Sequence, residues 1–346
     1  MRAEGSDTLE KKQFREIDLC RGLGIILVVL GHALKQTGTD HQAVQISISV
    51  IYSFHMPLFF VLSGFVAYRI LGFVTWGERI NYVAGRARRL LIPYFCVGAV
   101  YIPLKIALSR YALKPYDFSS VWRILIGDNP NTALWYLYIL FWISVLSVLL
   151  ARRKTFPLLL GASFLLSAAA YGLDWPLHLP RYLFFFLLGL FLREWTENRS
   201  QQALCSLLLS WKTQGPALLL FVSGNLLGWR YGGLWFLLTA VCGSFLVLGL
   251  AELLASRVST DAVCVSLLMT AGRYSMDIYI FSEPVITAVR LVLWNLMGLP
   301  FALCILCCFL CGLIIPVPVS FLVVRRVPLF RVCLLGMDWK ERSGEV

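Results

Sequence analysis

The side chains with the clearest chemical potential in this sequence are an arginine and a histidine within an apolar segment. Arg21 and His32 lie eleven residues apart in IDLCRGLGIILVVLGHAL, residues 17–34. On an α-helix this spacing is three turns plus about 20°, so both side chains project from one face, about 16 Å apart along the axis. Polar groups inside a membrane span are costly, which favours a functional pair over a snorkelling arginine and a structural histidine.

The pair suits a site that binds an anion and removes a proton from a hydroxyl. Asp18 precedes Arg21 by one turn and is predicted to hold its guanidinium in place. An arginine at the entrance of a cavity suits a phosphate, and a histidine that exchanges protons near neutral pH suits general-base work on a hydroxyl. We therefore predict a catalytic group of Asp18, Arg21 and His32.

A second basic group is Arg86, Arg88 and Arg89, in RARRLLIP. These residues precede the predicted start of a helix, where guanidinium groups and backbone N–H groups together bind phosphate. The alternative is a plain topogenic cluster beside the membrane, and the physics of the residues alone favours that alternative.

A third segment, FHMPLFFVLSGF at residues 54–65, combines a proline, a histidine and a small-residue pair. Pro57 is predicted to kink the helix, and Ser63-Gly64 is predicted to permit close helix approach. His55 is either a second functional imidazole or a histidine at the membrane interface.

Two further groups of candidate substrate contacts lie later in the chain. Trp135 and Tyr136 are typical of an aromatic belt at the membrane interface. The alternative is that their rings stack on a sugar ring of the substrate. Glu283, together with Asp277, is predicted to pair with an arginine inside the bundle. Candidate hydrogen-bond donors to a developing oxyanion are Ser63, Tyr136 and Tyr279.

The elements that must position these residues are membrane helices. Of 346 residues, 59% are hydrophobic and 14% are charged, and the mean hydropathy is +0.75. Apolar runs of about twenty residues have the length that crosses a bilayer. We predict an all-α, polytopic bundle of about ten transmembrane helices that forms a single domain over residues 1–346. The predicted spans are 17–35, 47–73, 90–108, 131–150, 157–173, 181–192, 216–227, 234–254, 264–296 and 300–324.

The distribution of charge predicts the orientation in the bilayer. Basic residues cluster in alternate loops and at both ends of the chain, so the tails 1–16 and 325–346 are expected in the cytoplasm. The first tail is expected to continue into the first turns of the helix. The net charge of +12 is explained by these loops and does not predict nucleic-acid binding.

The ten cysteines do not form a disulfide framework, because most lie within apolar runs, where cysteine acts as a small hydrophobe. Four of them repeat at helical spacing on one face, which predicts a packing face and no metal site. They are Cys304, Cys307, Cys308 and Cys311.

These motifs together resemble integral-membrane acyltransferase family three, whose members acylate sugars and glycans. The matching stretches are IDLCRGLGIILVVLGHA, FHMPLFFVLSGF, RARRLLIPYF, LWYL and GRYSMDIYIFSEPV. The FHMPLFF form is most similar to the fucose 4-O-acetylase-like branch. The resemblance covers the length of the chain, and its motifs are densest in the first 140 residues.

The resemblance implies a function and assigns residues to it. His32 corresponds to the family's essential histidine, as general base or acyl relay, and Arg21 to its first-helix arginine. Arg86 and Arg89 correspond to the basic motif that holds coenzyme A phosphates. An O-acetyltransferase of the bacterial inner membrane is then expected, with acetyl-CoA or another acyl-CoA as co-substrate and a carbohydrate or lipid-linked glycan as acceptor.

One departure from the family and two alternative functions remain. Many members have a histidine soon after the Ile-Tyr pair that is Ile278-Tyr279 here, and in this chain the pair is followed by Phe-Ser-Glu, so Glu283 is a candidate replacement. A carrier or flippase for a glycolipid or small anion explains the buried charges equally well. A membrane sensor or scaffold has little support, because the loops are short. Nothing in the sequence predicts the oligomeric state.

Overall fold

The structure is a computed structural model that describes residues 2–36, 38, 40–107, 118–175, 177–198, 201–228, 232–259 and 261–339, with only the backbone described at 2–14 and 201. Its regular structure within these residues is helical throughout. The α-helices, numbered α1 to α15 in order, are Arg2–Gln36, Gln42–Tyr52, His55–Val66, Trp76–Ala107, Trp135–Leu150, Phe156–Gly172, His178–Asn198, Gln201–Leu209, Trp211–Leu227, Gly233–Arg257, Val263–Arg273, Ser275–Arg290, Phe301–Ile314, Pro316–Val319 and Pro328–Leu335.

The prediction of a helical membrane bundle is confirmed. Six segments of the described chain are long and apolar enough to cross a membrane: Arg15–Gln36, Gln42–Val66, Trp76–Ala107, Thr132–Leu150, Gly233–Arg257 and Phe301–Val324. The other four predicted spans correspond to α6, α7, α9 and the pair α11–α12. These four are helical but shorter or less apolar, so the count of about ten spans stays a prediction.

The chain divides into two compact units, and α1 contributes to both. The first unit is Met1–Gly31, Asp40–Gly72 and Ala151–Ser275. The second unit is His32–Thr39, Phe73–Leu150 and Met276–Val346. The expectation of a single functional domain and the cytoplasmic placement of both ends stay predictions.

In the first unit, α1 and α11 approach each other through a pair of glycines. A Cβ on Gly22 would overlap the Leu268 carbonyl, and a Cβ on Gly272 would overlap the Asp18 carbonyl. Small residues at both positions therefore bring the two backbones together, as membrane helix interfaces require. The predicted role of Gly64 is confirmed in the same way, since its Cβ would overlap the Phe186 carbonyl of α7.

The second predicted span is broken between α2 and α3, in the first unit. Phe54 leaves helical geometry, with φ −144° and ψ −19°, and α3 begins at His55. Pro57 accounts for the break, because it lies in the first turn of α3, where a missing N–H costs nothing, and would disrupt a continuous helix. The predicted kink is thus a full interruption just before the proline.

In the second unit, α4 begins fourteen residues before the predicted start of the third span. Thr75 and Glu78 form a reciprocal cap: the Thr75 N–H donates to Glu78 Oε2 at 2.9 Å, and the Glu78 N–H donates to Thr75 Oγ1 at 3.2 Å. This T-x-x-E capping box satisfies the free donors of the first turn and fixes the start of α4 at Trp76.

The segment between the third and fourth predicted spans, 109–130, contains a 3₁₀-helix at Phe118–Ile126, and residues 108–117 lie outside the described residues. Tyr94 of α4 donates its hydroxyl to the Ile124 carbonyl at 2.9 Å, and Asn129 Nδ2 donates to the Tyr94 carbonyl at 2.9 Å. Asn131 then caps the turn that leads into α5. These bonds fix the entry to α5.

The predicted C-terminal tail, 325–346, is structured where it is described. Arg325 is 8% exposed, and α15 forms at Pro328–Leu335 and packs on α4. Residues 340–346 lie outside the described residues. The prediction of a basic tail is therefore wrong for Arg325, because its side chain is buried in the bundle.

Candidate functional site

His32 lies four residues before the end of α1, at the start of the portion of α1 in the second unit. The side chain is partly exposed, and within the described part of the chain no group hydrogen-bonds its imidazole ring. One turn further on, Gln36 is buried and accepts a hydrogen bond from Thr287 Oγ1 of α12 at 3.1 Å. The face of α1 that carries both His32 and Gln36 therefore meets α12.

A polar cluster on α12 lies one turn before Thr287, on the same helix face. Tyr101 of α4 donates its hydroxyl to Glu283 Oε2 at 3.5 Å, and Lys105 interacts electrostatically with the same carboxylate. Lys105 Nζ also donates to the Pro130 carbonyl at 2.7 Å. The prediction of an arginine partner for Glu283 is wrong, because Lys105, one turn beyond Tyr101, interacts with its carboxylate instead.

The prediction of an arginine partner is correct for Asp277, which lies nearly two turns before Glu283 on α12. Arg325 grips the Asp277 carboxylate with two hydrogen bonds, Nε to Oδ1 at 3.1 Å and Nη2 to Oδ2 at 3.0 Å. Ser320 donates to the same carboxylate, and Asp277 is 1% exposed. This buried pair joins α12 to the π-helical segment Ser320–Val324.

The aromatic candidates lie next to this region in the second unit. Tyr136 and Tyr279 are both buried, with ring centroids 5.8 Å apart and planes at 74°. Tyr279 donates its hydroxyl to the Ala133 carbonyl in this structure, and its role as an oxyanion donor stays a prediction. Trp135 is half-buried and packs edge-on against Tyr136. Burial of Tyr136 is also at odds with the favoured reading of an aromatic belt.

The prediction that the arginine group precedes the start of a helix is wrong. The three arginines lie within α4. No free N-terminal N–H groups are therefore available beside them. Arg86 Nε donates to Tyr82 Oη at 3.1 Å. Its guanidinium also stacks over that ring, 5.5 Å from the centroid.

The two neighbouring arginines bind the C-terminal end of α15 and the segment that follows it. Arg88 makes a paired contact with the carboxylate of Asp338, and Arg89 Nη1 donates to the Leu335 carbonyl at 3.1 Å. Arg89 thereby satisfies a carbonyl at the C-terminal end of α15, where a cation is favoured. Part of the basic group is therefore occupied by the chain itself.

The catalytic candidates Asp18 and Arg21 lie in the first unit. Asp18 interacts electrostatically with Arg21, as predicted, and also faces Arg273 of α11, with Oδ2 3.8 Å from its Nε. Sequence reasoning missed Arg273, although the sequence signal for it was present: it belongs to the GRYSMDIYIFSEPV stretch that carried the resemblance. Asp18 therefore interacts with one arginine of α1 and one arginine of α11.

His55 is buried in the first unit, where its side chain is 4% exposed. Its Nδ1 donates to the Ile51 carbonyl at 2.7 Å, across the break between α2 and α3, and its ring packs edge-on to Tyr52 at 4.7 Å. This bond supports a positioning role at the helix break. Ser63 is half-buried in α3, beside the close approach of Gly64 to α7.

The cysteine face predicted on the tenth span packs against α12. Cys304 and Cys308 are buried, and Cys308 Sγ donates to the Ile286 carbonyl at 3.7 Å. Cys307 and Cys311 are half-buried on the same helix. The predicted packing face is thus confirmed for the buried pair.

A family profile described as "Acyltransferase domain" matches residues 14–321. The chain belongs to integral-membrane acyltransferase family three. The fucose 4-O-acetylase-like branch is not distinguished by this match.

Two curated relatives of this acyltransferase chain carry the name "Nodulation protein NolL". The protein from Sinorhizobium fredii is 31% identical over 200 residues, which cover 54% of this chain and 50% of the relative. The protein from Mesorhizobium japonicum is 33% identical over 127 residues, which cover 32% of this chain and 33% of the relative. The chain thus spans half or less of the length of these relatives. No solved structure matches it.

The buried pair on α12 generates a stability prediction. Arg325→Gln leaves the Asp277 carboxylate buried without its bidentate partner, so we expect the free energy of unfolding to fall by about 3–5 kcal/mol. Thermal unfolding of the purified protein in detergent measures this change. The matched control is Arg326→Gln, because Arg326 is the exposed neighbour on the same segment. Equal losses in the two variants would contradict the role of the pair.

Proposed function

We propose that this family member is a membrane O-acyltransferase that moves an acetyl group from cytosolic acetyl-CoA to a hydroxyl of a cell-envelope carbohydrate or a lipid-linked glycan. The observation that carries the proposal is a series of polar side chains inside the apolar second unit. It begins at the arginines of α4, continues through Tyr101 and Glu283, and reaches His32 by way of Thr287 and Gln36.

The arginines suit the phosphate end of the donor. Arg86, Arg88 and Arg89 place three guanidinium groups within four consecutive residues, and guanidinium forks match phosphate oxygens. Along α4, Arg89 and Tyr101 are separated by twelve residues, about 18 Å. The extended pantetheine arm of an acyl-CoA would bridge that length and carry the thioester from the arginines toward Glu283.

His32 suits the role of general base. With no hydrogen-bond partner among the described residues, its ring can accept a proton from the acceptor hydroxyl. The hydroxyl oxygen attacks the thioester carbonyl, the C–S bond breaks, and the departing thiolate takes the proton from His32. Glu283 and Lys105 lie between the arginines and His32 in the same polar series and set the charge around the reacting groups.

The orientation that this reaction needs follows from charge. The donor is cytosolic, so the arginines of α4 must be reached from the cytoplasm, as the positive-inside distribution predicts. For the bacterial inner membrane this places the N-terminal end of α1 inside the cell and His32 deeper in the bilayer. The acceptor hydroxyl must then reach His32 at that depth in the bilayer.

Turnover of acetyl-CoA tests the proposal directly. Protein in nanodiscs should release free coenzyme A slowly in the absence of acceptor, and His32→Ala should lower that rate about 100-fold or more. His41→Ala, at an exposed histidine before α2, is the matched control and should retain wild-type turnover. Failure of the wild type both to bind and to turn over acetyl-CoA would contradict the proposal.

A second prediction concerns the contact between Arg88 and Asp338. Asp338→Asn removes a carboxylate that competes with the donor phosphates, so we expect acetyl-CoA to bind up to about fivefold more tightly. Arg88→Gln should weaken binding. Isothermal titration in nanodiscs measures both, with Asp128→Asn, an exposed aspartate of the same unit, as control. Unchanged affinity in Arg88→Gln would exclude this group as the phosphate site.

A further inference from the structure

A groove between α2 and α9 in the first unit takes no part in the reaction described above. Its volume is about 500 Å³, which lies within the range of pockets that bind small molecules. The two helices pack on different neighbours: a Cβ on Gly31 of α1 would lie 3.0 Å from the Tyr52 ring of α2, and a Cβ on Gly224 of α9 would overlap Thr239 of α10. Space for a ligand is therefore left between α2 and α9.

The amide side chains of this groove gather at one end. At the other end, Phe221 of α9 packs edge-on against Phe54, which follows α2, with ring centroids 5.3 Å apart. Asn225 lies one turn further along α9, and Gln42 and Gln45 lie in the first turn of α2. The groove thus leads from apolar side chains to amide groups, and such a lining fits a ligand with an apolar chain and a polar head.

The polar side chains that line the groove carry no charge. They are Gln42, Gln45, Ser49 and Asn225, and the other described residues of its lining are apolar. Arginine and lysine are the side chains that hold a phosphate or carboxylate head, whereas amide and hydroxyl groups exchange hydrogen bonds with the hydroxyls of a sugar. The lining therefore favours a neutral, hydroxylated head over an anionic one.

Asn225 provides the most specific contact in the groove. Its Nδ2 donates to the Phe221 carbonyl at 2.9 Å, and this bond fixes which end of the amide is the oxygen. The oxygen, Oδ1, is buried and has no hydrogen-bond partner in the part of the chain that the structure describes. Buried polar atoms are normally satisfied, so this position calls for a donor from a ligand. A sugar hydroxyl supplies such a donor, whereas the oxygens of a phosphate diester only accept.

We propose that this groove binds a glycolipid acceptor, with a neutral sugar at the amide groups and the apolar chain along Val50 and Phe221. The inference rests on the proposed function, because it assigns the acceptor of that reaction to this groove. With the N-terminal end of α1 in the cytoplasm, as predicted, α2 begins at the outer surface, where an exported glycan is presented. Gly31, which packs on α2, is the residue before His32 on α1.

Photolabelling of the protein in nanodiscs tests the site. One probe is an alkyl glucoside with a diazirine in its chain, and the other is a phosphatidylglycerol with the same diazirine. The glucoside should label α2 and α9 at least about fivefold more than the phospholipid, since its hydroxyls bond to the amides. Val222→Trp fills the groove and should abolish this preference, whereas Leu219→Trp, at an exposed position of α9 outside the groove, should retain it. Equal labelling of the wild type by both probes would overturn the proposal, because bilayer lipid then fills the groove.

The amide contact has its own variant. Asn225→Leu should lower labelling by the glucoside about fivefold and leave labelling by the phospholipid unchanged, a difference that misfolding would not produce. Asn295→Leu, at an exposed asparagine of the second unit, is the control and should change neither. Unchanged glucoside labelling of Asn225→Leu would contradict the assigned contact.

The wild type separates this inference from the proposed function. Release of coenzyme A from acetyl-CoA, without selective labelling by the glucoside, would overturn the acceptor groove alone. Selective labelling, without binding or turnover of acetyl-CoA, would support the groove as a glycolipid site and contradict the acyl transfer.

Discussion

The ion pair between Asp277 and Arg325 shows the constraint under which this chain folds. Both side chains are buried, and each would be costly alone in an apolar surrounding. Their pairing ties the start of α12 to the C-terminal segment, and α15 can then pack on α4. The position of α12, which also carries Tyr279 and Glu283, thus depends on a charge pair rather than on apolar contacts alone.

The same constraint separates structural charges from functional ones. Asp18 faces two arginines, and Glu283 is approached by Tyr101 and Lys105, so each acid is compensated by a neighbour. His32 differs, because its partly exposed imidazole has no hydrogen-bond partner among the described residues. A polar group that is left available beside compensated neighbours is the pattern expected of a reacting side chain.

The sequence predicted the class of the fold and the chemical side chains well, because hydropathy and residue type are local properties. The helix of His32, a distortion of the second span beside Pro57 and the arginine partner of Asp277 were all expected. The start of α4 was missed although the capping box of Thr75 and Glu78 was legible. An apolar run marks where a helix enters the membrane rather than where it begins.

Tertiary contacts account for the remaining differences. Arg325 reads as part of a basic tail, and its burial depends on Asp277, forty-eight residues earlier in the chain. The engagement of Arg88 by Asp338 spans 250 residues and has no local signal. Likewise, the glycines at 22 and 272 have a common function only because two distant helices meet. Sequence spacing within one helix cannot report such pairs.

We propose that the protein acylates a glycan and does not carry it across the membrane. The most direct measurement is mass spectrometry of the surface glycan from cells that lack the gene and express either the wild type or His32→Ala at equal levels. The account predicts that the acyl group is lost in His32→Ala cells while the unmodified glycan still reaches the surface in normal amount. Loss of the glycan itself from the surface would contradict the account and support a carrier.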